Sequence, residues 1–183
     1  MSLLPQTERN IERLQKDLSK INPNFNCSKG TIKNLYFSLG KEEEIKYCVK
    51  GTFENKTYNV FVTNKRVIFI YNFLFALEQI EIPIEKITSI TKVSGILNGG
   101  FIIWDGISRI QVNQVPKNDV LMFINILNEE IQNHKTISIN INNTREKDIT
   151  DKIEKLSDLY KEGILTEYEF ATKKMELLDK LKK

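Results

Sequence analysis

Lys50, Lys56, Lys65 and Arg66 are the residues of this 183-residue chain whose type and spacing come closest to a site. They fall on or beside two successive predicted hairpins. Cations gathered on such turns could hold an anionic group, a lipid headgroup for example, by charge-assisted hydrogen bonds. The plainer reading is solvated turn chemistry that sets strand register, and it carries the greater weight. Residues 41–135 hold eleven Lys/Arg against eleven Asp/Glu, which leaves little long-range attraction to an anionic surface.

Other chemistry has little to work with. His134 is the single histidine, so no Ser/His/Asp set can be built. It is predicted near a helix C-terminus, where a positive group suits the helix dipole. Acid–base work would fall to carboxylates, but Glu42, Glu43 and Glu44 form a run before a strand, the pattern of a solvated surface. Cys27 and Cys48 lack the CxxC spacing of a metal site, and two lone cysteines do not make a disulfide framework. Phosphate-cradling motifs do not occur, and Gly99-Gly100 reads as a turn. Trp104, next to Asp105-Gly106, reads as a packed hairpin aromatic. The expectation is a non-enzymatic protein with no cofactor, no metal, no small-molecule substrate and no nucleic-acid partner. A basic excess and aromatic–basic interleaving, which nucleic-acid recognition would need, are both missing from the central region.

The elements that would position these residues follow from periodicity. Ile11, Leu14, Leu18 and Ile21 recur at three- and four-residue spacing behind Thr7, a helix ended by Pro23. Residues 22–30 are a turn-rich connector. Residues 31–39 are a short helix stopped by Gly40. From Glu44 the period becomes two. Strands are predicted at 45–53, 58–63, 67–71, 77–83, 87–93, 101–104 and 108–112, with Asp105-Gly106 as a hairpin turn. Pro116 then opens a helix carrying Val120, Phe123, Ile124, Leu127 and Ile131 on one face. Seven short antiparallel strands and one amphipathic helix predict an α+β fold, a barrel or sandwich, and the helix is enough to plug one open end of a small barrel.

Residues 134–148 are rich in Asn and Thr without a helical stripe, and read as a linker in which KTISINI, residues 135–141, could form one extended segment. Helical period returns at Ile149, with Thr150 as a predicted cap and Gly163 as the stop. Thr166 and Glu169 have the spacing of a capping box, and Leu165 and Phe170 that of a hydrophobic staple. Two such short helices are marginal alone in water. Their apolar positions, Ile153, Leu156, Leu159, Tyr160, Leu165, Phe170, Leu177, Leu178 and Leu181, therefore need a partner surface.

Two resemblances are carried by these stretches. IEKLSDLYKEGILTEYEFATKKMELL, residues 153–178, resembles the short C-terminal (SHOCT) domain through Leu159, Gly163, Ile164, Leu165, Thr166, Glu169, Phe170, Lys174, Leu177 and Leu178. FVTNKRVIFI, IPIEKITSITKVSGIL and IQVNQVPKNDVLMFINIL resemble the bacterial pleckstrin-homology group, YokE-like and akin to GRAM domains. That resemblance implies a seven-stranded barrel with one C-terminal helix, and a role in protein or lipid binding. The other implies oligomerisation or tethering.

The expected organisation is residues 1–29 as an amphipathic helix and connector, 30–133 as the barrel domain, 134–148 as the linker and 149–183 as a helical hairpin. The expected function is a binding or adaptor protein, with a protein partner or self-association through the tail. The alternative is a peripheral membrane adaptor that meets anionic lipid. The N-terminus has no apolar run of the secretory type, so the expected place is the cytoplasm, at a membrane surface under the alternative.

Overall fold

The computed structural model describes residues 4–74 and 76–180. Helices α1 (Leu4–Ile21) and α2 (Lys29–Ser38) precede seven strands. These are β1 (Ile45–Phe53), β2 (Lys56–Thr63), β3 (Arg66–Phe73), β4 (Ala76–Pro83), β5 (Ser89–Val93), β6 (Gly99–Trp104) and β7 (Arg109–Val115). Helices α3 (Lys117–Lys161) and α4 (Glu167–Asp179) follow. All seven strands are antiparallel, in the order β4-β3-β2-β1-β7-β6-β5. The seven expected strands are therefore present, with ends displaced by a few residues at most.

The turns explain the register. Glu54 and Asn55 both have positive φ, 48° and 61°, the backbone of a tight two-residue hairpin whose twist matches the strands. At the β6–β7 turn the Asp105 carboxylate accepts from the Ile107 and Ser108 amides at 2.9 and 2.5 Å, and Gly106 takes a φ of 89°. Gly51 lies where β1 meets β7. A Cβ there would sit 2.3 Å from a Val112 methyl carbon, so only glycine lets the two halves of the sheet close up.

Strands β1–β3 are buried on both faces. One face turns Val49, Val60, Val62, Val67 and Phe69 into a core completed by Phe101, Ile103 and Val112. The first turns of α3 close that core with Val120, Phe123, Leu127 and Ile131, and Phe123 stacks on Phe101 at 4.1 Å. Tyr47 donates to Asp119 across 3.2 Å and ties β1 to the start of α3. The opposite face turns out Cys48, Phe61, Ile68 and Ile70, and the N-terminal helices cover it with Leu18, Ile32 and Leu35, together with Phe25 of their connector. Asn22 donates to the Cys48 carbonyl at 3.0 Å beneath this cover. The stripe of α1 thus docks on its own domain.

The chain divides into two compact units, Met1–Asn133 and His134–Lys183. One expectation about the second unit is corrected. Residues 134–148 are helical, inside α3, where a linker with at most one extended segment was expected. The polar side chains that usually compete with a helix instead fold back on it. Ser138, Thr144 and Thr150 donate to the carbonyls of His134, Asn140 and Glu146, at 2.9, 2.8 and 2.9 Å. Thr150 is consequently an interior helical residue and no cap, and His134 stands far from the helix end at Lys161.

The cover on β1–β3 can be tested at Leu35, which is fully buried. Leu35→Ala is expected to lower stability by about 2–4 kcal/mol, read as a lower urea midpoint at unchanged slope. A loss below about 0.5 kcal/mol, the range of surface substitutions, would mean that α2 does not cover the sheet.

Candidate functional site

Hairpin direction decides what becomes of the four cations. The β1–β2 turn and the β2–β3 turn lie at opposite ends of β2, which at eight residues spans roughly 25 Å. Lys50 and Lys56 are near the first turn, and Lys65 and Arg66 at the second. The expected four-residue patch is two separate pairs.

The second pair is structural. The Arg66 guanidinium grips Glu43 in a fork, Nε to Oε1 and Nη2 to Oε2, both at 2.9 Å. It also donates to Glu81 and, at 2.6 Å, to the Ser38 carbonyl. Lys65 Nζ donates to the Lys41 carbonyl at 2.8 Å. Together these bonds fasten the α2–β1 connection to the β2–β3 turn. The Glu43 side chain is 1% exposed. Burial works to raise its pKa, but hydrogen bonds from Arg66, the Gly40 amide and Thr63 outweigh that and hold it below the ordinary carboxylate range. The Glu42–Glu44 run is therefore not uniformly solvated. Only Glu43 is drawn inward, and nothing in three consecutive glutamates marks which one.

The first pair borders a hollow of about 400 Å³. Ser28 and Thr31, at the N-terminus of α2, line one side. Lys50, Asn59 and Asn72 line the sheet side, and Lys56, Tyr71 and Phe73 the rim. Ser28 caps α2 by accepting from the Thr31 amide at 3.1 Å. Lys50 is exposed. Lys56 pairs with Glu78 at 2.5 Å and lies 5.5 Å from the centroid of the Tyr71 ring. Tyr58 donates to the other Glu78 oxygen at 2.8 Å, and burial, aided by that bond, pushes its pKa up to about 12. Asn59 is 7% exposed, and its Oδ1 is without a partner among the described residues. Asn59, Glu78 and the α2 N-terminus were not singled out from sequence, because only cross-strand register brings Asn59 beside Lys50 and Glu78 beside Tyr71.

The hollow offers hydrogen-bond donors and positive charge to an anion, but no activated nucleophile. Cys27 lines it, and burial pushes that thiol up to about 11, and the Cys48 thiol to about 12. Trp104 sits at the end of β6, 39% exposed, its carbonyl accepting from Thr88.

The tail residues are placed as a hairpin of two helices. Gly163 takes a φ of 74° after α3, while the Gly163 and Ile164 amides donate to the carbonyls of Tyr160 and Leu159, each at 3.0 Å. This is the paired hydrogen-bond pattern of a glycine-terminated helix. Thr166 and Glu169 cap α4 reciprocally. Tyr160 and Phe170 stack at 5.1 Å. Ile153, Leu156, Leu165, Phe170 and Leu177 are half-buried, and Leu159, Tyr160 and Leu178 are exposed. Leu181 lies outside the described residues.

The Arg66 network makes a direct prediction. Arg66→Met leaves Glu43 buried without its cation and should cost about 3 kcal/mol by urea denaturation, with Glu43→Gln in the same chain recovering part of the loss. Because the folded pKa of Glu43 is depressed, its stabilisation is complete above the unfolded value and is lost as pH falls through the folded one. The urea midpoint of the wild type should therefore fall more steeply in acid than that of Glu43→Gln.

The residues forming these units match two families. A bacterial PH domain model matches residues 39–129, and a short C-terminal domain model matches residues 151–178. Among solved structures the chain is similar to a pleckstrin homology domain from Shewanella amazonensis SB2B. Identity is 16% and the TM-score 0.41, over 52% of this chain and 92% of that one. It is also similar to the linker-DH/PH domains of p115-RhoGEF, at 8% identity and a TM-score of 0.41. The DH/PH domains of PDZ-RhoGEF, solved with GTP-gamma-S-activated RhoA, match at 12% identity and a TM-score of 0.39. For both of these the match covers 70% of this chain and 40% of the other. Comparison with curated protein sequences gives no match. With the seven antiparallel strands and the core-closing helix already in place, residues 39–129 are a bacterial PH domain, and residues 151–178 are a short C-terminal domain.

Proposed function

We propose that the chain is a non-enzymatic adaptor whose PH domain presents a binding surface and whose C-terminal hairpin self-associates. The observation that carries this is the state of the hairpin's apolar face. Its caps and its glycine turn are complete, yet α4 has no fully buried residue, and Ile164, Tyr168 and Met175 are 64%, 81% and 65% exposed. A groove of about 410 Å³ runs between Tyr160 and Leu178, floored by Phe170 and Ala171. At 13 residues α4 draws most of its stability from packing, so the face supports association with a second copy. Both domain families fit a role without catalysis.

A second reading is favoured by the hollow at the α2 N-terminus. Lys50, Lys56 and a helix N-terminus converge there, which supports contact with the phosphates of an anionic membrane surface. No described helix is long and apolar enough to cross a membrane, so such contact would be peripheral.

Light scattering on the full chain tests the first reading. The wild type should be an oligomer whose mass falls on Met175→Glu/Leu178→Glu. Both side chains are exposed, so the hairpin itself should keep its helicity by circular dichroism. These substitutions are preferable to truncation near residue 143, which would cut within α3. A wild type that is monomeric at all concentrations, or an oligomer indifferent to the pair of charges, would overturn the self-association reading.

A further inference from the structure

We infer that the β3–β4 hairpin tip is an apolar wedge that enters the interfacial region of an anionic bilayer beside the lysine-lined hollow, an inference that rests on the membrane-surface reading above. The tip exposes Phe73, Leu74 and Leu77 at 61%, 80% and 54%. Leu74 holds a φ of 51°, a left-handed conformation for which turns ordinarily use Gly, Asn or Asp. A bulky apolar residue is thus placed where it is strained and solvated, at a cost the fold itself does not repay. The β1–β2 turn meets the same backbone demand with Glu54 and Asn55, and the β6–β7 turn with Gly106.

Charge complementarity selects the occupant. Phe73 borders the same hollow as Lys50 and Lys56, so the apolar tip and the basic groups share one surface. Lys29 is exposed in the first turn of α2, whose N-terminus lines that hollow. Against these stand Glu54, in the neighbouring turn, and Glu78, already held by Lys56 and Tyr58. The result is a convex apolar point with a cationic flank. A bilayer of anionic phospholipid satisfies both, since it accepts apolar side chains to a shallow depth and places phosphates beside them. The loop of Ile96 and Leu97 is also exposed and holds one cation, Lys117, whose Nζ donates to the Ile96 carbonyl, but no charged residue lines the hollow beside it.

The test is partition of the full chain onto vesicles of phosphatidylcholine with and without phosphatidylglycerol. The wild type should bind the anionic vesicles, and Phe73→Ser/Leu74→Ser should weaken binding roughly tenfold or more at an unchanged urea midpoint. Leu74→Trp in a Trp104→Phe background should shift its emission to the blue on binding and be quenched by brominated acyl chains. Millimolar glycerol phosphate should not displace the protein. A wild type that ignores anionic vesicles removes the membrane reading and the wedge together. If the wild type binds but the serine variant binds equally, or the tryptophan stays in water, or glycerol phosphate competes fully, the wedge is overturned. In those cases Lys50→Glu would still weaken binding and lower its salt dependence if the headgroup contact is real.

Discussion

A sheet whose first strands are apolar on both faces cannot be left with one face in water, and the rest of the molecule is arranged around that constraint. Val67, Ile68, Phe69 and Ile70 are all buried, with alternate residues pointing into different cores. The inner core is closed by the far strands and the start of α3. The outer face is closed by α1 and α2, so the N-terminal helices are part of the domain's folding and not an appended arm. Phe25 meets Phe61 edge to face at 5.5 Å where the connector crosses the sheet. The same demand creates the hollow. Apolar cover ends at the N-terminus of α2, and there the outer row of the sheet changes from Phe61 and Ile68 to Lys50 and Asn59.

Charge is divided in the same way. Arg66 spends its fork and its remaining donors on Glu43, Glu81 and the Ser38 carbonyl, and so serves the joint between α2 and β1. An arginine so engaged has little left for a ligand, and its partner is too buried to be left alone. Lys56 is held less tightly, beside Glu78 and the Tyr71 ring, with a side chain 40% exposed. The cations that remain available are those near the first turn, which is also where the apolar hairpin tip emerges. In the tail the division is different. Every backbone demand at the turn is met locally, by Gly163 and by the Thr166–Glu169 box, while the apolar side chains remain largely unspent.

Much of this was legible in the sequence. Period-two patterning and turn residues located all seven strands, and the capping box was readable from Thr166 and Glu169 because it is built from residues three apart. The core stripe of α3 was readable through Val120, Phe123, Leu127 and Ile131. The helix through residues 134–148 was not. Its described residues are almost all solvated, so no apolar stripe marks it, and its Ser and Thr hydroxyls bond back to carbonyls four residues earlier in a way composition does not announce.

Local signals, then, were enough for whatever depends on neighbours in the chain: the periodicity of strands, the stops and starts of helices, and the apolar face of the tail. Tertiary structure alone decided the site. Lys50 and Lys65 look equivalent along the chain, each beside a turn, but antiparallel pairing sends successive turns to opposite ends of the sheet. Glu43 became the buried partner of Arg66, 23 residues away in the chain, and the register of the β1–β2 hairpin set Asn59 beside Lys50. Sequence proximity says which residues share a turn. Only strand direction and register, set by the packing of two apolar faces, say which turns share a surface.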